Sequence, residues 1–133
     1  MTLTQTLVAL AVAAVAMGTL DAAWLGVMVP RLYRPDLGDV MRERPDPVGA
    51  ALFYVLYVVG IVWLVVSTTN DLGGSTGDAV ARGAALGTVA YGTYDLTGRA
   101  VLRDFSWRLV VVDIAWGTVL TAVAGGAAFA IAL

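Results

Sequence analysis

Long apolar segments, separated by short polar stretches, make up most of the chain. Three of them are clear: Leu3 to Val29, whose only charge is Asp21; Val48 to Asn70, which has none; and Arg108 to Leu133. Each is at least as long as the roughly 18 to 20 apolar residues that cross the hydrocarbon core of a bilayer. They predict transmembrane helices at about 3–29, 48–69 and 108–133.

A fourth segment, at about 78–97, is shorter and more polar. Only twelve residues lie between Arg82 and Asp95, so a helix that spans the membrane here carries charge at its ends. The segment is rich in glycine, alanine and threonine, which suits a helix packed inside a bundle. A buried or re-entrant helix is the alternative. We predict an all-α fold: an integral membrane four-helix bundle in which residues 1–133 form a single domain.

The composition supports this class and excludes several kinds of chemistry. Of 133 residues, 59% are hydrophobic and 14% are charged, whereas soluble domains carry roughly 25% charged residues. The chain has no cysteine, histidine or lysine, which excludes disulfides, Ser-His or Cys-His nucleophile pairs and Schiff bases. The net charge of −2 and the lack of basic runs argue against nucleic acid as a partner. We expect no cofactor and no metal site.

The arginines predict an orientation. Seven fall in or next to the first and third loops, and Arg82 alone lies on the opposite side. The seven are Arg31, Arg34, Arg42, Arg44, Arg99, Arg103 and Arg108. Because basic residues concentrate in cytoplasmic loops, both termini should lie on the non-cytoplasmic side. The expected location is the bacterial cytoplasmic (inner) membrane, with several spans.

Acidic and aromatic residues meet at one level of this bundle. Asp21, Asp95 and Asp113 all fall near the predicted cytoplasmic side when helix directions alternate. Carboxylates inside a membrane are costly and usually functional, so we predict a ligand-binding site here. Its candidate residues are Asp21, Trp24, Tyr54, Tyr57, Tyr91, Tyr94, Asp95, Arg99, Asp113 and Trp116.

Structural explanations compete with this hypothesis. The tyrosines and tryptophans are also typical of an aromatic belt at the membrane surface. Asp95 and Arg99 are four residues apart, which allows an ion pair along one helix. Asp21 and Asp113 lack such partners, so they either hydrogen-bond between helices and lock the bundle or bind a ligand.

Four motifs connect these residues to a known family. They are D-A-A-W-L-G at 21–26, F-Y-V-L-Y at 53–57, Y-G-T-Y-D-L-T at 91–97 and D-I-A-W-G at 113–117. In this order they resemble a bacterial membrane protein family catalogued as domain of unknown function 2177. The resemblance covers nearly the whole chain and implies a four-helix membrane fold, but no activity. Members typically have Asn after D-L-T, where this chain has Gly98.

Three classes of function fit the pattern. The first is binding of a lipid, amine or cation at the acidic and aromatic site near the cytoplasmic leaflet. The second is a membrane enzyme that acts on a lipid or isoprenoid by carboxylate acid/base chemistry. The third is an accessory subunit of a larger membrane complex, or a small exporter. The expected partners are membrane lipids, and a small-molecule ligand or a homo-oligomer fits equally.

Overall fold

The computed structural model describes residues 1–133 and contains helices and no strands. Four helices follow one another along the chain, which confirms the predicted all-helical, four-helix fold. Their bounds are Leu3–Val40 for α1, Pro47–Asp71 for α2, Thr76–Val101 for α3 and Trp107–Ala132 for α4. Helices α1, α2 and α4 are long and apolar enough to cross a membrane, and α3 is not among them.

Side-chain caps determine where the helices begin. Thr2 and Gln5 form a capping box at the start of α1, and Ser75 and Asp78 form another before α3. Such caps satisfy backbone N–H groups that have no partner inside the helix. Asp78, the predicted first residue of the third helix, is therefore the third residue of a helix that begins at Thr76. Asp46 and Ser106 cap α2 and α4 in the same way.

Helix α1 continues well beyond its predicted end. A π-helical turn at Val29–Tyr33 contains Pro30 and leads into a last α-turn at Arg34–Leu37. Proline has no N–H and clashes with the preceding turn of a regular α-helix, and the wider π-turn lets the helix pass through it. The prediction of a loop from residue 30 was wrong, because this segment packs across the start of α4.

Two contacts hold the extension of α1 in place. Leu32 is buried in a cluster with Phe105, Leu109 and Val110. Asp36 accepts hydrogen bonds from Ser106 and Arg108, and the carboxylate and guanidinium form an ion pair at 2.6 Å. The extension therefore places Tyr33 inside the bundle rather than in solvent.

Helix α4 is the centre of the bundle and contacts the other three helices. Its closest neighbour is α3, and glycines line their contact: a Cβ added to Gly87 would lie 2.1 Å from the carbonyl oxygen of Gly117. A Cβ on Gly83 would lie 2.5 Å from the carbonyl oxygen of Thr121. In a membrane, such close backbone packing is a main source of helix association.

Candidate functional site

The two D-x-x-W motifs, in α1 and α4, face each other at the centre of the candidate site. Their indole rings, Trp24 and Trp116, stack in parallel with centroids 4.4 Å apart and planes 2° apart. The Trp116 Nε1–H donates to Asp21 Oδ1 at 3.0 Å. The aspartate of one motif is thus bound by the tryptophan of the other.

The second aspartate is connected to the other tryptophan through Tyr33. The Trp24 Nε1–H donates to the Tyr33 hydroxyl at 2.9 Å, and that hydroxyl donates to Asp113 Oδ1. Because α1 and α4 run in opposite directions, each aspartate lies level with the tryptophan of the opposite motif. The repeated motif therefore produces a reciprocal network, with one direct and one relayed contact.

Helices α2 and α3 complete the layer. The Tyr54 hydroxyl donates to Asp21 Oδ2, so both oxygens of Asp21 have partners. Tyr57 is buried and shares a hydrogen bond of 2.7 Å with Thr121. The Tyr91 ring packs edge-on against Tyr57 with centroids 6.1 Å apart. All four helices thus contribute to this layer.

A cavity of about 410 Å³ lies against this network, and we name it the acidic–aromatic cavity. Its acidic groups are Asp21 and Asp113. Leu25, Leu56 and Ala90 contribute aliphatic side chains to its lining. No basic side chain lines it. Its aromatic walls are Phe53, Tyr57, Tyr91, Tyr94 and Trp116.

The acidic–aromatic cavity opens sideways between α2 and α3. Helix α2 approaches α3 mainly through its second half, Ile61–Ser67, whereas Phe53, Leu56 and Tyr57 lie in its first half. Leu56 is 74% exposed and Tyr94 is 63% exposed, and they line the cavity from opposite helices. The opening therefore faces the surroundings of the bundle rather than its ends.

Asp95 has a different environment from the other two aspartates. Its side chain is completely buried, and no donor group of the bundle reaches either carboxylate oxygen. The carboxyl of Asp113 lies within hydrogen-bonding distance, so the two acids can pair only when one of them is protonated. Arg99 turns away, donates to the Phe105 carbonyl at 2.9 Å and lies 5.0 Å from the Trp107 ring centre. The Asp95–Arg99 ion pair, one of the structural alternatives, is therefore wrong. Arg99 lies in the last turn of α3 and satisfies a carbonyl of the loop that follows.

Comparison with protein families decides the relationship of the chain. A family model described as predicted membrane protein (DUF2177) matches residues 6–130. The chain belongs to this family. The resemblance seen in the four motifs is confirmed. No curated protein and no solved structure matches the chain. The DUF2177 chain is accordingly a membrane protein in contact with lipid.

Most of the candidate residues of this DUF2177 chain lie together. Trp24 and Tyr54 hydrogen-bond or stack with residues that line the cavity, Asp95 lies behind it, and Arg99 lies outside it. No group of three or more acidic side chains is placed to hold a metal ion. The candidates that line the cavity are Asp21, Tyr57, Tyr91, Tyr94, Asp113 and Trp116.

Two aromatic residues of the site, Tyr33 and Phe53, are not among the candidates predicted from the sequence, and neither are the aliphatic lining residues Leu25, Leu56 and Ala90. Tyr33 falls in the segment that the sequence predicts to be a loop. Phe53 was part of a quoted motif, and its spacing of four residues from Tyr57, with which it stacks at 5.3 Å, is the signal that could have identified it.

Gly98 stands where the resemblance of the motifs implies an asparagine, and the structure shows what occupies the space. A Cβ at Gly98 would lie 2.7 Å from the Phe105 ring. Phe105 is buried and packs edge-on against Tyr94 at 6.0 Å. An aromatic ring thus fills the position where an asparagine side chain would extend.

Proposed function

We propose that the acidic–aromatic cavity binds the ammonium group of an amphiphilic amine that approaches from the membrane. The observation that carries this proposal is the lining: two carboxylates and five aromatic rings surround one cavity that has no basic side chain. Aromatic faces attract organic cations, and carboxylates form strong hydrogen bonds with ammonium groups. An anion would find no positive charge in this cavity.

The two carboxylates have different roles in this proposal. Asp21 already accepts from Tyr54 and Trp116, so it contributes negative charge. Asp113 accepts from Tyr33 at Oδ1 and also faces the carboxyl of Asp95. We assign the Asp113 carboxylate, with this second acid beside it, to the ammonium N–H. Tyr57, Tyr91 and Tyr94 then surround the cation.

The surroundings of the cavity favour an amine with an alkyl chain. The opening between α2 and α3 is flanked by exposed apolar side chains, among them Leu56. A second, apolar groove of about 570 Å³ runs between α1 and α2, from Tyr54 past Val58 and Leu10. Tyr54 connects this groove to Asp21. A molecule with a charged head and an apolar tail matches this arrangement.

We also propose that the cavity lies near the cytoplasmic leaflet of a bacterial inner membrane. The support is the distribution of arginine, with seven residues at the end of the bundle that holds the site and Arg82 at the other end. Reporter fusions at the C-terminus test this orientation: a periplasmic phosphatase should be active there, and a cytoplasmic fluorescent protein should be dark. The opposite pair of results would invert the orientation.

Binding measurements with matched ligands test the ammonium site. The purified protein in detergent is titrated with dodecylamine and with dodecanol, which has the same chain but no charge. We expect saturable stabilisation by the amine only. Asp113→Asn should weaken amine binding about tenfold or more, because it removes a charged hydrogen-bond partner.

The control is Asp39→Asn, which removes an exposed acid that does not line the cavity. It should bind dodecylamine like the unmodified protein. Equal stabilisation by amine and alcohol, or unchanged amine binding by Asp113→Asn, would contradict the proposal.

A further inference from the structure

A second cavity, also of about 410 Å³, lies beside the acidic–aromatic cavity, and we name it the arginine cavity. It is formed by the extension of α1, the loop after it and the end of α3. Arg34 and Arg42 line it together with Glu43. The other lining groups are apolar or aromatic, apart from the tyrosine hydroxyls.

The arginines of this cavity are free to bind an anion. The one ion pair of the chain joins Arg108 to Asp36, so Arg34 and Arg42 are not paired with an acid. Two arginines against one glutamate leave the cavity with a positive formal charge. Guanidinium groups bind phosphate through paired hydrogen bonds, so a phosphate ester is the anion that this cavity suits.

The two cavities adjoin, and their charges are opposite. Tyr94 lines both of them. Tyr33 lines the arginine cavity and donates a hydrogen bond to Asp113, which lines the other. A negatively charged cavity and a positively charged cavity are thus separated by tyrosine side chains. A molecule that carries both an ammonium group and a phosphate group would match these two charges.

We infer that the ligand is an amine-bearing phospholipid whose headgroup occupies both cavities. The ammonium group lies against Asp113 and the aromatic rings, the phosphate lies between Arg34 and Arg42, and the acyl chains remain in the membrane. This inference rests on the proposed ammonium site and adds the phosphate and its location. It requires no covalent step.

Three ligands and two double variants test the inference. Binding to the full chain in detergent is measured for phosphatidylethanolamine, phosphatidylglycerol and dodecylamine. The test variant is Arg34→Gln/Arg42→Gln. The control is Arg44→Gln/Arg103→Gln, which removes the same charge from exposed positions outside both cavities. Retained binding of dodecylamine shows that a variant is folded.

The expected result is specific to the lipid that carries both charges. The test variant should lose about tenfold or more in affinity for phosphatidylethanolamine, as expected for lost charged hydrogen bonds, and should bind dodecylamine unchanged. The control should bind both normally, and phosphatidylglycerol should bind more weakly than phosphatidylethanolamine to the unmodified protein.

Two outcomes would overturn the inference. A third outcome would show that the proposed ammonium site, on which the inference rests, is itself wrong. If the test and control variants bind phosphatidylethanolamine with equal affinity, Arg34 and Arg42 do not form a phosphate site. Equal affinities of the unmodified protein for the two phospholipids would show that the ammonium group is not recognised in the lipid. Absence of dodecylamine binding to the unmodified protein would instead contradict the ammonium site itself.

Discussion

The two halves of the α3–α4 contact are built differently. In the first half of α3, Gly83 and Gly87 lie so close to α4 that no side chain fits between the backbones. In the second half, Tyr91 and Tyr94 hold a cavity open beside Asp113. Lipid offers little hydrophobic driving force for helix association, so close packing supplies it. The same pair of helices thus provides rigidity at one end and space at the other.

The two halves also differ in which groups form hydrogen bonds with their polar side chains. Threonine hydroxyls in the packed half bond to backbone carbonyls, as Thr121 does to Gly117 at 2.7 Å. In the other half, Asp21 and Asp113 depend on side chains from other helices or from the far end of α1. Buried polar networks that are fully paired help to specify one arrangement. Asp95 accepts from no donor group and faces the carboxyl of Asp113 instead.

The largest effect is expected in the packed half. Gly87→Ala places a methyl group against the Gly117 carbonyl, so α3 and α4 must separate, and overpacking of this kind costs about 1–3 kcal/mol or more. Gly18→Ala in α1 is the matched control, because a Cβ there meets nothing within 4 Å. It should be neutral or stabilising by up to about 1 kcal/mol through helix propensity. Thermal unfolding in detergent measures the stability of both variants. If they are equally stable, close packing at Gly87 does not hold α3 and α4 together.

A smaller effect is expected at the paired aspartate. Asp21→Leu leaves the Trp116 N–H and the Tyr54 hydroxyl without an acceptor, and because both contacts are only partly buried the total cost should be about 1–3 kcal/mol. Asp21→Asn should cost less, because its amide can accept from the indole and donate to the phenol. The same unfolding assay compares them. If Leu and Asn are tolerated equally, the network does not lock the helices.

The smallest change is expected at the unpaired aspartate. Asp95→Leu removes a buried carboxyl group that no donor reaches and that faces a second acid, Asp113, so it should leave stability unchanged or raise it by about 1–3 kcal/mol. Asp95→Leu can be compared directly with Asp21→Leu, because each replaces a buried aspartate with leucine. A loss of stability as large as that of Asp21→Leu would show that Asp95 has a partner in the membrane.

The apolar segments were sufficient to predict the fold class, because a membrane helix needs little more than length and hydrophobicity. They could not predict the continuation of α1, since the π-turn at Pro30 depends on contacts of Leu32 and Asp36 with the start of α4. The D-x-x-W motifs of α1 and α4 each place an aspartate and a tryptophan three residues apart, on one face of a helix. Their reciprocal bonding depends on the relay through Tyr33, which only the folded chain reveals.

The sequence also failed to predict the contacts of Asp95 and Arg99 in the candidate site. Their spacing of four residues permits an ion pair along a helix, but α3 ends at Val101, and the nearby loop carbonyl of Phe105 takes the guanidinium instead. Local caps and the turn of the chain determine where a helix ends. The spacing between two residues does not predict that position. The sequence therefore could not predict which group Arg99 contacts.

Tryptophan fluorescence reports on the proposed binding of a cation by the carboxylates beside the stacked indoles. A Trp63→Phe/Trp107→Phe protein keeps Trp24 and Trp116, the stacked pair beside Asp21 and Asp113, as its only tryptophans. We expect dodecylamine to cause a saturable fluorescence change that dodecanol does not cause and that Asp113→Asn reduces about tenfold or more in affinity. A change that is the same for amine and alcohol, or that persists unaltered in Asp113→Asn, would contradict the account.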